Sequence, residues 1–125
     1  MRVHGIEMVQ VQVANWSAAI DWYETTFGWR VAVREEADRF CLFVPPAAGS
    51  QLALYGPPSV TPGSKNRCVP SVRVEDLPRV LEQLRGRGTV SAATITGDAD
   101  YRMATIVDPE GNDIHLYEWL RQPGE

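Results

Sequence analysis

Apolar and polar residues alternate along VQVQV, residues 9–13, so Val9, Val11 and Val13 share one face of a predicted strand. Asn15 then offers a helix cap, and Trp16, Ala19, Ile20, Tyr23 and Phe27 recur at helical spacing until Gly28. Three more strand-like stretches follow, WRVAVRE (29–35), RFCLFV (39–44) and QLALYG (51–56). From residue 71 the order returns. SVRV leads to Asp76 at a cap position, with Pro78 in the first turn of a helix. Leu77, Val80, Leu81 and Leu84 form its stripe, stopped by Gly86 and Gly88. TVSAATI (89–95), YRMATIV (101–107) and DIHLYE (113–118) supply the last three strands.

The chain therefore carries one pattern twice. An offset of 61 places Val11 on Val72, Val13 on Val74, Asn15 on Asp76 and Ile20 on Leu81. An offset of 62 places Val44 on Ile106, Leu52 on Ile114, Leu54 on Leu116 and Tyr55 on Tyr117. The turns PPAAGS and DPEGN join the last two strands of each copy, using Pro to preset φ and Gly or Asn to accept φ > 0. PPSVTPGSKN, residues 57–66, reads as a linker by composition. The expected organisation is one α+β domain over residues 1–125. It comprises two βαβββ modules in tandem, at 3–56 and 67–119. Each mixed sheet is covered by a helix on one face, and two such curved sheets facing each other enclose a cleft.

At 125 residues the chain can bury a core without disulfides. Cys41 and Cys68 lie 27 apart with no CxxC motif and read as free thiols of a reducing compartment. No run of 18 apolar residues occurs and the opening MRVHGIEMVQ has no leader-like apolar stretch, so the expectation is a cytoplasmic protein without a membrane span. Sixteen acidic against twelve basic residues give a net charge of −4. That argues against nucleic acid and anionic membranes as partners and favours neutral or cationic ones. No nucleophile elbow, P-loop or HExxH is present.

VQVANWSAAIDWYETTFGW (11–29) and VDPEGNDIHLYE (107–118) resemble the vicinal oxygen chelate superfamily. Its members include glyoxalase I, bleomycin-resistance proteins, extradiol dioxygenases and fosfomycin-resistance enzymes. The resemblance spans residues 3–119. It implies that metal-dependent relatives hold a divalent ion with four His, Gln or Glu side chains, from the first and last strands of each module. Carried onto this chain, those positions are Met8, Ala53, Val69 and His115. One imidazole, a thioether and two aliphatic groups do not make a site for such an ion. Moving two residues along the strand exchanges Met8 for Gln10 and Val69 for Ser71, still without a carboxylate. The expectation is no metal and no cofactor, and a likeness to the metal-free, bleomycin-resistance-like members.

Strand alternation predicts what lines the cleft. The first strands contribute Met8, Gln10 and Gln12 in one copy and Val69, Ser71 and Arg73 in the other. The final hairpins contribute Met103, Thr105, His115 and Tyr117, matched by Cys41, Phe43, Ala53 and Tyr55. This largely apolar, aromatic set suits a small organic ligand. The same register sets Arg102 opposite Glu118, an expected salt bridge at the sheet end. Trp16 and Trp22 belong to the helix stripe, while Trp29 and Trp119 are open between packing and a stacking wall. The function expected is sequestration of an antibiotic or secondary metabolite. The alternatives are a metal-independent isomerase, cyclase or lyase with His115 as acid or base, and a glyoxalase- or dioxygenase-like metalloenzyme. The resemblance further implies a homodimer, its modules paired within a chain or exchanged between chains.

Overall fold

A computed structural model of the chain describes residues 1–4, 6–44, 50–90 and 93–121. The first module runs β1 (Met8–Gln12), α1 (Trp16–Phe27), β2 (Arg30–Glu35), β3 (Phe40–Val44) and β4 (Gln51–Tyr55). The second runs β5 (Ser71–Arg73), α2 (Leu77–Arg87), β6 (Thr96–Gly97), β7 (Tyr101–Val107) and β8 (Asp113–Trp119). Two four-stranded sheets result, ordered β1-β4-β3-β2 and β5-β8-β7-β6. In each, the first strand runs parallel to the last and the other neighbours are antiparallel. Parallel neighbours need a long crossover, which the helix and two intervening strands provide. The tandem α+β modules anticipated from the repeat are thus present.

Both helix-covered faces feed one continuous core. Val11, Phe43, Leu52 and Leu54 of the first sheet join Ala104, Ile106, Ile114 and Leu116 of the second. Trp16, Ile20 and Tyr23 of α1 and Leu77, Leu81 and Leu84 of α2 complete it. The faces that no helix covers remain at the surface, with Val33, Val107 and Trp119 exposed.

One hairpin departs from the repeat. Phe43 pairs with Leu52 and Ile106 with Ile114, so residues 44–51 close the first hairpin and residues 107–113 the second, eight against seven. The extra residue moves the β3–β7 equivalence to an offset of 63, placing Phe43, not Val44, on Ile106. Since side chains alternate with period two, a one-residue shift turns every β3 side chain over. Cys41 and Phe43, expected in the cleft, are instead fully buried against α1, and Phe40 and Leu42 take the helix-free face. Residues 45–49 of the PPAAGS turn lie outside the described residues.

The strand expected over 89–95 is also corrected. Thr89, Val90 and residues 93–95 form no ladder, Ser91 and Ala92 lie outside the described residues, and pairing begins at Thr96 with Met103. The segment is drawn to α1: the Trp22 indole donates to the Thr89 carbonyl at 2.8 Å, and Val90 and Ala93 pack on the core.

Helix entry is arranged differently in the two modules. The Asn15 side chain accepts from Ala18 N–H at 3.4 Å, and α1 ends at Gly28 with φ of 68°. Asp76 makes no side-chain cap. Glu118 replaces it, accepting from Asp76 N–H at 2.7 Å and Leu77 N–H at 3.0 Å and pairing with Arg102 at 2.7 Å. This satisfies backbone donors left open at a helix start and sets a negative charge at the positive end of the helix dipole. The position matching Glu118 in the first module is Gly56, where a Cβ would press on Trp16 Cβ at 2.8 Å. There the carboxylate comes from the other module, as Glu110 accepts from Ala14 N–H at 2.6 Å and Asn15 N–H at 2.8 Å.

The DPEGN turn joins the modules. Asp108 Oδ1 accepts from the backbone N–H of Glu110 at 2.9 Å and of Asn112 at 2.8 Å, holding the turn through Gly111 at φ 84°. Asp108 Oδ2 accepts from the Tyr23 hydroxyl at 2.8 Å and the Asn112 amide at 3.0 Å. Asn112 Oδ1 in turn accepts from Asn66 N–H at 2.8 Å, and the Asn66 amide donates to the Gln12 carbonyl at 2.9 Å. Burial and the Asp108 carboxylate raise the Tyr23 phenol above its usual value, so it stays a donor throughout the working pH range.

Two outcomes are expected. Asp108→Ala leaves several buried donors without an acceptor and lowers unfolding free energy by about 3 kcal/mol, read by chemical denaturation. The backbone N–H groups of Leu77 and Asp76, with Arg102, hold the Glu118 carboxyl below its ordinary 4.5. A depressed carboxyl stabilises the fold above its unfolded value, and that contribution is lost as pH falls through the folded one. Glu118→Gln therefore lowers the thermal midpoint at pH 7, and its difference from the unaltered chain shrinks below about pH 4.

Candidate functional site

The helix-free face of each sheet is built by register. On the first, Gln10 lies beside Ala53 and Gln12 beside Tyr55, with Leu42 and Phe40 next to that pair on the far side. Met8 starts β1 opposite Gln51. Val33 of β2 extends the face through its pairing with Leu42. On the second, Ser71 lies beside His115 and Arg73 beside Tyr117, while Thr105 and Met103 flank the same two residues from β7. Val69 precedes β5 and is exposed.

Aromatic side chains dominate the second face. Tyr101 stacks on Tyr117 at 5.2 Å with an interplanar angle of 16°. Trp119 sits 5.2 Å from Tyr117 and 6.4 Å from Tyr101. All three keep part of their surface in solvent. Trp119 therefore joins a stacking platform, whereas Trp29 packs on Phe27 at 4.4 Å on the helix side. Tyr101, Phe40, Leu42 and Val33 were not anticipated for this face. Tyr101 was legible, since it continues the period-two series of Met103 and Thr105. Phe40 and Leu42 required the length of a turn whose strand ends could not be fixed from sequence.

The polar groups are few and held from behind. Asn66 grips the Gln12 backbone on both sides, accepting from its N–H at 3.0 Å as well as donating to its carbonyl. Gln10 Nε2 lies 3.8 Å from Met8 Sδ. His115 N–H donates to the Pro70 carbonyl at 2.9 Å, fixing the end of β5 against β8. The arrangement offers flat stacking surface, adaptable Gln, Ser and Thr hydrogen bonding, one imidazole and the Arg73 guanidinium.

A metal centre of the kind the resemblance describes does not fit these residues. The matching positions hold Met8 or Gln10, Ala53, Val69 or Ser71, and His115. Among the described residues no three His, Cys, Asp or Glu side chains cluster. Hard and borderline divalent ions need more nitrogen and oxygen donors than one imidazole with neutral amide and hydroxyl groups.

The family model for the Glyoxalase/Bleomycin resistance protein/Dioxygenase superfamily matches residues 5–116. The chain belongs to this superfamily. Among solved structures it is similar to TnmS3, an antibiotic binding protein from Streptomyces sp. CB03234, at 25% identity and TM-score 0.79, covering 95% of this chain and 98% of that one. A superfamily member from Sphaerobacter thermophilus DSM 20745 shares 27% identity at TM-score 0.71, with 94% and 99% covered. A glyoxalase/bleomycin resistance protein from Streptomyces sp. CB03234 shares 26% identity at TM-score 0.71, with 90% and 98% covered. No curated protein matches. No described helix is long and apolar enough to cross a membrane.

The two thiols of this superfamily member differ in environment. Cys68 is exposed, whereas burial pushes the Cys41 thiol up to about 11 against the opposing pull of Arg34. Cys41 is thus a neutral core group at pH 7, without nucleophilic character. An aromatic disulfide reagent at pH 7.5 is expected to modify one thiol per native chain and two after unfolding, and Cys68→Ser removes the native reaction.

Proposed function

We propose that the chain binds a flat, largely apolar organic compound, an antibiotic or related secondary metabolite, on its helix-free surface and holds it chemically unchanged. The observation carrying this reading is the part-exposed stack of Tyr101, Tyr117 and Trp119, continued by Met103. Offset and edge-on ring contacts contribute about 0.5–1.5 kcal/mol each, which adds to what burial of the ligand's apolar area supplies. Gln10, Gln12, Ser71 and Thr105 supply orientation. The likeness to an antibiotic binding protein over 95% of the chain supports the same reading.

A second copy completes the site. Support comes from the apolar residues left exposed on both helix-free faces, Val33 on one sheet and Val107 and Trp119 on the other. The homodimer encloses the ligand between a sheet of one protomer and a sheet of its partner. The cytoplasm is the proposed location.

A second reading assigns His115 as acid or base of a metal-independent isomerase, cyclase or lyase, favoured by its half-buried place between Ser71 and Thr105. Titration of the purified chain with planar aromatic antibiotics, followed by fluorescence quenching, separates the readings. Tyr117→Ala and Trp119→Ala each weaken binding about tenfold, equivalent to about 1.4 kcal/mol, while Trp29→Phe does not. Sedimentation gives twice the 13.9 kDa chain mass. Affinity unaffected by both aromatic substitutions, or loss of a chemical conversion on His115→Ala, contradicts sequestration at this face.

A further inference from the structure

A pocket of about 210 Å³ lies on the opposite side of the second sheet, where the C-terminal end of α1 meets α2 and β5. Its walls are apolar, formed by Phe27, Trp29, Val74, Val80, Leu84 and Leu116. Gln83 and Arg87, both exposed, stand at its edge, and Arg73 also lines it. The Arg87 guanidinium and no carboxylate therefore belong to this lining, the Arg73 side chain being on the helix-free face, in a chain whose net charge is −4. Thr26 lies in the wall, fully buried, and its Oγ1 has no hydrogen-bond partner among the described residues. A buried hydroxyl without a partner is costly.

We infer that this seam pocket is a second ligand site, distinct from the helix-free face, for a small monocarboxylate bearing one aromatic ring or a short aliphatic chain. An apolar cavity of about 150 Å³ accommodates benzene, so the volume here suits a ring with a carboxylate attached. Arg87 already anchors the end of α1, its Nη1 donating to the Thr26 carbonyl at 2.6 Å and the Thr25 carbonyl at 3.4 Å. A guanidinium carries five N–H donors, so Nε and Nη2 remain to pair with a carboxylate while Nη1 keeps the helix in place. The ring then lies against Trp29, Val80 and Leu84.

Benzoate and hexanoate, with benzyl alcohol as the neutral counterpart, are the probes, added to the full chain and followed by NMR. The expected result is magnetisation transfer from the Val80 and Leu84 methyl groups to both carboxylates, with benzoate bound at least tenfold more tightly than benzyl alcohol. Arg87→Gln abolishes that preference, and Val80→Phe, which fills the pocket, abolishes binding of both compounds. The proposal is overturned if the probes show no transfer from these methyl groups in the unaltered chain, or if Arg87→Gln keeps the preference. Methyl contacts in the unaltered chain decide the matter even where Val80→Phe does not fold.

Discussion

Asp108 is 4% exposed, and each of its oxygens accepts two hydrogen bonds. It shapes the DPEGN turn, anchors Tyr23 in the middle of α1 and, through Asn112 and Asn66, reaches the Gln12 backbone in β1. A buried carboxylate is tolerated only when its lone pairs are filled, and filling them here requires donors from both modules. Glu110 on the same turn adds two bonds to the backbone that leads into α1. One five-residue turn thus ties the two modules together beside the shared core. The polar face that presents Gln12 is set by the same network, so the structural and functional halves of the molecule share a support.

Much of this architecture was legible. Val11 and Val13 against Gln10 and Gln12, or Ile114 and Leu116 against His115 and Tyr117, declare their faces by alternation alone, because the burial is one-sided. The helix stripes and the stop at Gly28 follow from spacing and from the left-handed backbone that glycine accepts. The Arg102–Glu118 pair followed from register. What stayed hidden depended on distant partners or on a count of one. The orientation of Cys41 and Phe43 turned on a single extra hairpin residue. Asp76 looked like a cap, yet Glu118, 42 residues away, performs that role. The stretch from Thr89 was β-prone but is held by Trp22 of the other module.

On the proposed reading, a scaffold that the resemblance associates with metal chemistry is furnished here for ligand capture. Where the resemblance places donor side chains, this chain has a thioether, a methyl group, an isopropyl group and one imidazole. Tyr101, Tyr117 and Trp119 gather on the face that carries His115. Aromatic surface of this kind recognises shape and polarisability with little demand on exact polar placement, which suits capture of a rigid, flat compound.

The most direct measurement incubates the purified chain with a mixture of antibiotics and secondary metabolites, separates bound from free, denatures the protein and weighs what is released. Retention of one planar aromatic compound per protomer, recovered at unchanged mass and retention time, is the predicted result. Release of an altered mass or a new isomer in excess over protein contradicts it and makes the helix-free face a reaction site.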